Sequence, residues 1–453
     1  MHLTIAAAVL CLALSAGMTP AWSLDKAEGP HISLSLQDAL SLALTNNLTY
    51  QSAVADAQAA EGQVMQARSL RFPGVSVGYS YFHTANGSTF TFPAPSTGAG
   101  PPQVQSFQFS APNINNANAT LQYALYSGGA GQATIGQAAA NLAGTQSQLA
   151  AARSTVVRDV TNAYFQLIQT QRAAQVADQA VSVAEQNATT AGQLYRAGTA
   201  ARADVLRQDV TTANARVQAI QAHNAAALAN AQLANLLNIN LGSVVTPTES
   251  LESHPRSFDL SDLLDKASKR PELAAAEDAV AIADLAVRIA RASSLPQVNL
   301  TVEEASSKPN FVNVPQPQLE ETLAVTWRLF DGGLSRGRVA QASAQVDKAK
   351  IALKQLTNSV DLEVRQAYFN YNAAQAQVQA ARAAQTSARE SLRVSEIRYR
   401  AGVGTSLELS DAQLANTQAQ NQYINALAAL RIALINVQRA AGTLELQAGV
   451  GGR

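Results

Sequence analysis

Cysteine is nearly absent. The 453-residue chain holds one, Cys11. It lies in the N-terminal leader, so the mature chain has no disulfide framework and no thiol chemistry. Charge is scarce as well: 14% of residues are charged, and 32 Lys+Arg balance 32 Asp+Glu. The balance argues against nucleic-acid binding, which would need a basic surface. Past the leader there is no uncharged apolar run of roughly eighteen residues, so no membrane-spanning helix is expected. A membrane role would have to come from strands. The five histidines, His2, His31, His83, His223 and His254, lie far apart, and none pairs at metal-ligand spacing. No His-Glu-x-x-His, Gly-x-Ser-x-Gly or phosphate loop occurs. Gly128-Gly129-Ala130-Gly131 follows a strand pattern, but its context suits a strand–helix junction. The expectation is therefore no enzyme, no metal and no cofactor.

What is present is a duplication. Leu125-Tyr126-Ser127-Gly128-Gly129, Ala163-Tyr164-Phe165 and Tyr195-Arg196-Ala197-Gly198 return as Leu329-Phe330-Asp331-Gly332-Gly333, Ala367-Tyr368-Phe369 and Tyr399-Arg400-Ala401-Gly402. All three markers move by the same 204 positions, so nothing is inserted or deleted between them. A long rigid helix is the element that tolerates no change of length. Between Gly129 and Tyr195 there is no proline, and alanine, glutamine and leucine dominate. Small or apolar residues recur every seventh position at Ile135, Leu142, Leu149, Val156 and Ala163, then, past Thr170, at Ala177 and Ala184, and from Val339 to Ala388 in the second copy. Val364, Tyr371, Val378 and Leu392 form a companion row, which gives a coiled-coil-like seam. Such a helix is about 100 Å long.

Residues 1–23 read as a secretory signal peptide, with Ala21-Trp22-Ser23 at the cleavage site. Leu10 before Cys11 argues against lipidation. Leu34 to Arg71 reads as helix, with Ser35-Leu36-Gln37-Asp38 as a capped start and an interruption at Asn46-Asn47. Leu260 to Ser294 is its partner, with Arg270-Pro271 at the matching break. Each segment ends at a proline, Pro73 or Pro296. Alternation then takes over: Val75, Val77, Tyr79, Tyr81; Leu121, Tyr123, Leu125; Val298, Leu300, Val302; Leu323, Val325, Trp327, Leu329. These predict four strands of about ten residues, apolar on one face and polar on the other. That length crosses a bilayer when tilted. Residues 84–116 and 306–318 read as exposed loops. Shorter return helices are expected over 203–238 and 406–441.

The layout is thus 24–239 as a first repeat, made of a helix, two strands at about 74–126 and a long helical hairpin at 127–239. A linker follows at 240–259. The second repeat is 260–442, with a helix, two strands at about 297–330 and a hairpin at 331–442. A tail at 443–453 has no strong pattern. Four strands cannot close a barrel, and open edges in lipid are prohibitive, so the chain must oligomerise. A trimer closes twelve strands and twelve helical columns.

The duplicated strand–strand–long helix, the Gly-Gly junctions, the Ala-Tyr-Phe repeats and the Tyr-Arg-Ala-Gly turns together resemble the TolC family of outer-membrane efflux and secretion ducts. The resemblance covers nearly all of residues 34–442. It implies an α+β membrane protein: a homotrimer with a twelve-stranded β-barrel in the outer membrane of a Gram-negative cell and a twelve-helix α-barrel across the periplasm. It also implies docking to a periplasmic adaptor and an inner-membrane pump. By position after the second turn, Glu408 and Asp411 match the acidic rings that narrow the periplasmic entrance. Tyr399 and Asp204 match two members of the family's entrance latch. The family's latch arginine and threonine are Gly404 and Ala203 here, so a looser or differently latched closed state is expected. Arg202 and Arg207 are the available substitutes. The turns, Gly198-Thr199 and Gly402-Val403, match the adaptor-docking tips. Two other readings compete. A periplasmic adaptor would carry one hairpin between lipoyl-like halves, and a structural coiled coil would wash off membranes in salt.

Overall fold

The computed structural model describes residues 30–83, 89–93, 104–108, 113–252, 256–309 and 316–444. The expected signal peptide, most of the tail and parts of both expected loops lie outside the described residues. In chain order the elements are β1 (His31–Leu34), α1 (Leu36–Asn46), α2 (Leu48–Ser69), β2 (Gly74–His83), β3 (Thr89–Pro93), β4 (Val104–Gln108), β5 (Asn113–Tyr126), α3 (Ala130–Arg196) and α4 (Arg202–Leu236). The second half holds β6 (Val244–Pro247), α5 (Leu260–Ala267), α6 (Pro271–Ala292), β7 (Gln297–Pro309), β8 (Gln316–Thr326), α7 (Leu334–Arg400) and α8 (Ser406–Ala440).

The duplication is literal in length. α3 and α7 are 67 residues each, α4 and α8 are 35 each, and α2 and α6 are 22 each. The seam positions are buried or half-buried in both copies, and none is exposed. Near the sheet the helices lie side by side in the order α2-α3-α6-α7, and in the far half in the order α4-α3-α8-α7. The strands follow the order β2-β5-β7-β8. Each strand therefore continues the helix it is joined to, and one protomer is an open, two-tier wall.

Sequence reasoning erred in several places. The helix does not begin at Leu34. That residue ends β1, which pairs in parallel with β6 inside the linker. The capping box of α1 does sit at Ser35 and Asp38 as expected. The first expected loop contains the β3–β4 hairpin and the start of β5. β7 and β8 likewise run into the second. The last apolar run stops being strand at Thr326, before Trp327 and Leu329. The register shifts at Leu125, so Tyr126, not Leu125, lies opposite Val298. A bulge of this kind turns a strand as it leaves a sheet.

Directly opposed residues share a face of the sheet. One face carries Val77, Ala119, Glu304 and Leu319 in one row and Val75, Leu121, Val302 and Glu321 in the next. Tyr123, Leu300 and Leu323 follow, then Tyr126, Val298 and Val325. The opposite face has Ser76, Thr120, Glu303 and Glu320 in one row. Glu304 and Glu321 thus interrupt the apolar face, which the alternation did not foresee.

The packed core lies at the midpoint of the long helices. Tyr164, Phe165, Leu167 and Ile168 of α3 meet Leu40, Leu233, Leu237 and Val245. The Tyr164 hydroxyl donates to Leu34 O at 2.9 Å and accepts from the amides of Thr248 at 3.2 Å and Glu249 at 3.4 Å. In the second repeat the equivalent belt is held not by Tyr368 but by Tyr371. Its hydroxyl donates to Arg256 O at 3.0 Å and accepts from Arg256 N at 2.8 Å. The duplication is offset here by one helical turn. Arg431 of α8 donates to the carbonyls of Ser250, Leu251 and Glu252 and lies over the Phe165 ring. The linker is thereby tied to both hairpins. Tyr164→Phe leaves the Glu249 amide short of a partner, while Leu34 O and Thr248 N–H keep only their mutual bond at 3.2 Å. The expected cost is about 2 kcal/mol, read as a lower denaturation midpoint, whereas Tyr368→Phe is expected to be close to neutral.

Candidate periplasmic entrance

The far ends of the hairpins are two turns with the same geometry. In the first, Gly198 N–H meets Tyr195 O at 3.0 Å and Thr199 N–H meets Leu194 O at 2.9 Å. In the second, Gly402 N–H meets Tyr399 O and Val403 N–H meets Arg398 O, both at 3.0 Å. These paired bonds close a helix only when the residue past its end is left-handed. Gly198 and Gly402 both have φ of 77°, a conformation that costs other residues about 1–2 kcal/mol. The turns leave Val403 exposed at the extreme tip.

Asp204 sits in the first turn of α4. One carboxylate oxygen accepts from Ala201 N–H at 3.3 Å. The other accepts a short hydrogen bond from the hydroxyl of Ser406, the first residue of α8. Tyr399 is buried close by, but its hydroxyl has no hydrogen-bond partner. Burial pushes the Tyr399 hydroxyl pKa up, and the Asp204 charge adds to the rise. The structure thus brings Tyr399 and Asp204 into one place without bonding them, and Ser406 supplies the bond. Gly404 packs closely against the end of α7: a Cβ on it would stand 3.0 Å from Arg398 Cβ and from Tyr399 N, so a side chain there would crowd the turn. Among the described residues, neither Arg202 nor Arg207 forms an ion pair with Asp204.

Ser406 opens a polar ladder between the two hairpins. Gln208, fully buried, donates to Ser410 Oγ at 3.1 Å, and its own Oε1 has no partner. Asn187 donates to Gln413 Oε1 at 3.2 Å, and Gln413 donates to Ala180 O at 3.3 Å. Ser406, Ser410 and Gln413 share one face of α8 by helical spacing. These three bonds join the first hairpin to the second near the tips. Sequence reasoning missed these residues because each bond joins positions about two hundred apart, and no local pattern marks them.

Glu408 and Asp411 lie in the first turns of α8, both exposed. Glu408 N–H is capped by the Thr405 hydroxyl at 3.2 Å, and its carboxylate is 3.9 Å from Arg398 across the turn. A helix N-terminus favours such carboxylates.

Comparison with known proteins fits this arrangement. The family described as outer membrane efflux protein matches residues 39–239 and 264–443. The match breaks at the linker and covers both duplicated units. Protein CyaE of Bordetella pertussis is 28% identical over 418 residues, spanning 91% of this chain and 84% of that protein. Outer membrane protein OprJ of Pseudomonas aeruginosa is 24% identical over 421 residues, spanning 90% and 84%. Among solved structures, the CmeC outer membrane channel of Campylobacter jejuni superposes with a TM-score of 0.78 at 16% identity, covering 90% of this chain and 85% of that one. The protein is therefore an outer-membrane exit duct for efflux or secretion, a transporter rather than an enzyme, and the chain belongs to the outer membrane efflux protein family.

Proposed function

We propose that three copies close into a twelve-stranded outer-membrane barrel continued by a twelve-helix tunnel, and that this duct serves a periplasmic adaptor and an inner-membrane pump. One observation carries the reading: both edges of the two-tier wall are open. β2 and β8 each have a neighbour on one side only. Among helices, α4 shows exposed Leu206, Val210, Val217 and Ile220, while α7 shows Ile351, Leu362 and Phe369. Unpaired backbone edges are not tolerated in lipid. Two copies would give eight strands, whose interior fills with side chains. Three give the smallest ring of this unit with room for cargo. The Val75–Val77 face then meets lipid, and the row of Ser76, Thr120, Glu303 and Glu320 lines the lumen. Under this reading 24–239 and 260–442 are the duplicated units and 240–259 joins them.

The tips at Gly198-Thr199 and Gly402-Val403 dock the adaptor. A photo-crosslinker at Thr199 or Val403 in native cells is expected to capture a periplasmic adaptor. Capture of this protein alone would contradict the docking role.

Glu408 and Asp411 form acidic rings at the entrance, where like charges around an axis attract cations. Glu408→Gln with Asp411→Asn is expected to lower cation-over-anion selectivity about fivefold. Reversal potentials across a planar bilayer in a salt gradient would show this, and an unchanged potential would remove both residues from the constriction.

A further inference from the structure

We propose that the corner where β8 meets α7 is a binding site for the phosphodiester headgroup of an anionic phospholipid in the periplasmic leaflet. The proposal rests on reading the four-stranded sheet as the membrane-spanning wall. Four corners join the strands to the helices, at residues 63–76, 120–133, 289–299 and 324–338. They contain Arg68, Arg71, Arg291, Arg328, Arg336 and Arg338, no lysine, and a single acidic residue, Asp331. All six arginines are exposed. None makes an ion pair among the described residues. The Asp331 carboxylate is already taken by the Ser335 hydroxyl and by the amides of Gly333 and Ser335.

A chain with zero net charge therefore gathers six arginines around the ends of the strands. Aromatic and apolar side chains stand among them: Phe72, Trp327, Leu329 and Phe330 are all exposed, Phe330 by 88%. An arginine-rich zone with exposed aromatic rings matches the interface between hydrocarbon and headgroups, where aromatic residues anchor and basic ones meet anionic lipid. The β8–α7 corner is also concave. A shallow, open depression of ≈ 600 Å³ there is lined by Trp327, Arg328, Leu329, Arg336 and the hydrogen-bonded pair Asp331 and Ser335. Trp327 is fixed beside it, its indole N–H donating to Ser294 O at 3.2 Å. Two guanidinium forks suit the oxygens of one phosphate. Trp327 and Leu329 then face the glycerol and the first acyl carbons. In a closed ring β8 of one copy adjoins β2 of the next, so Arg68 and Arg71 at the foot of β2 come near the same groove. Those like charges repel unless an anion lies between them.

The sequence supplies its own reporter, since Trp22 and Trp327 are the only tryptophans. In a Trp22→Phe background, Trp327 fluorescence is followed in vesicles of phosphatidylcholine containing a minor fraction of brominated lipid. Brominated phosphatidylglycerol is expected to act at about one-fifth the mole fraction that brominated phosphatidylcholine requires, the size of one basic side chain's attraction to an anionic surface. Arg328→Gln and Arg336→Gln are each expected to reduce that preference, and together to abolish it. Arg389→Gln, far along α7, is expected to leave it intact. Equal quenching by the two lipids, or a preference surviving in the double variant, overturns the proposal while the membrane reading stands. Quenching by neither lipid overturns the membrane reading and the proposal with it.

Discussion

Asp204→Ala is expected to raise single-channel conductance severalfold, and Ser406→Ala to produce most of the same rise. The two hairpins of one protomer meet near their tips through few contacts. Asp204 with Ser406 is the outermost of them. It is charge-assisted, which makes it stronger than the neutral Gln208–Ser410 and Asn187–Gln413 bonds above it. Removing the serine also leaves the carboxylate without its best donor. With that bond gone, the amide bonds alone hold the second hairpin inward, and the entrance population shifts towards wider states. Tyr399→Phe is expected to change little by itself, because the Tyr399 hydroxyl has no partner to lose. Conductance in planar bilayers separates the cases. A large effect of Tyr399→Phe with none from Ser406→Ala would reverse the assignment of the latch.

Arg270→Ala is expected to cost about 2–3 kcal/mol, among the largest single losses available in the helical tier. Arg270 stands at the N-terminal boundary of α6, at the break between α5 and α6, and its side chain is 4% exposed. It reaches Glu272 at 3.0 Å, Glu363 of α7 at 2.8 Å and the Ala440 carbonyl that ends α8 at 3.4 Å. Arg439 also pairs with Glu363. One guanidinium therefore joins α6, α7 and the end of α8. Breaking a buried pair costs roughly 3–5 kcal/mol, and the figure is lowered here because both carboxylates retain some solvent contact. Arg270→Lys is expected to recover only part of the loss, since an ammonium cannot fork to two carboxylates. The pH dependence has a definite sign. Burial pushes the Glu272 carboxyl up, but the hydrogen bonds from Arg270 outweigh it and hold the group below its ordinary value. A carboxyl lowered in the folded state stabilises above its unfolded pKa, and that contribution is lost as pH falls through the folded value. The difference between the native chain and Arg270→Ala is therefore expected to be full at neutral pH and to shrink below about pH 4. Denaturant midpoints in detergent at both pH values would measure it.

How much of this was legible in the sequence depended on the kind of signal. The long helices were legible because a seven-residue rhythm from Ile135 to Ala184, broken only at Thr170, has no other simple explanation. The constant displacement of the Gly-Gly and Tyr-Arg-Ala-Gly markers also fixed the equality of lengths. The strands were legible where alternation ran unbroken, as from Val75 to Tyr81. It failed at Leu125, where a bulge resets the phase, and at Glu304 and Glu321, where charged side chains sit in apolar rows. β1 and β6 are four residues each, too short for any period to show. The entrance was half legible. The turns announce themselves by glycine, and Asp204 by its place after the turn. Ser406, Gln208 and Ser410 carry nothing local to mark them, because their role comes from two hairpins folding side by side. The Tyr368 match was misleading for the same reason: one turn further on, Tyr371 reaches the linker.

The central claim is that the open edges close on two other copies, and the near absence of cysteine makes it directly measurable. Val77→Cys on β2 and Leu323→Cys on β8 in one chain, with Cys11 lost with the leader or replaced by alanine, put one thiol on each open edge. A flexible bis-maleimide applied to outer membranes then links neighbouring edges. A ladder of one, two and three chains that stops at three is the predicted result. A ladder that stops at two, or continues past three, would contradict the twelve-stranded duct.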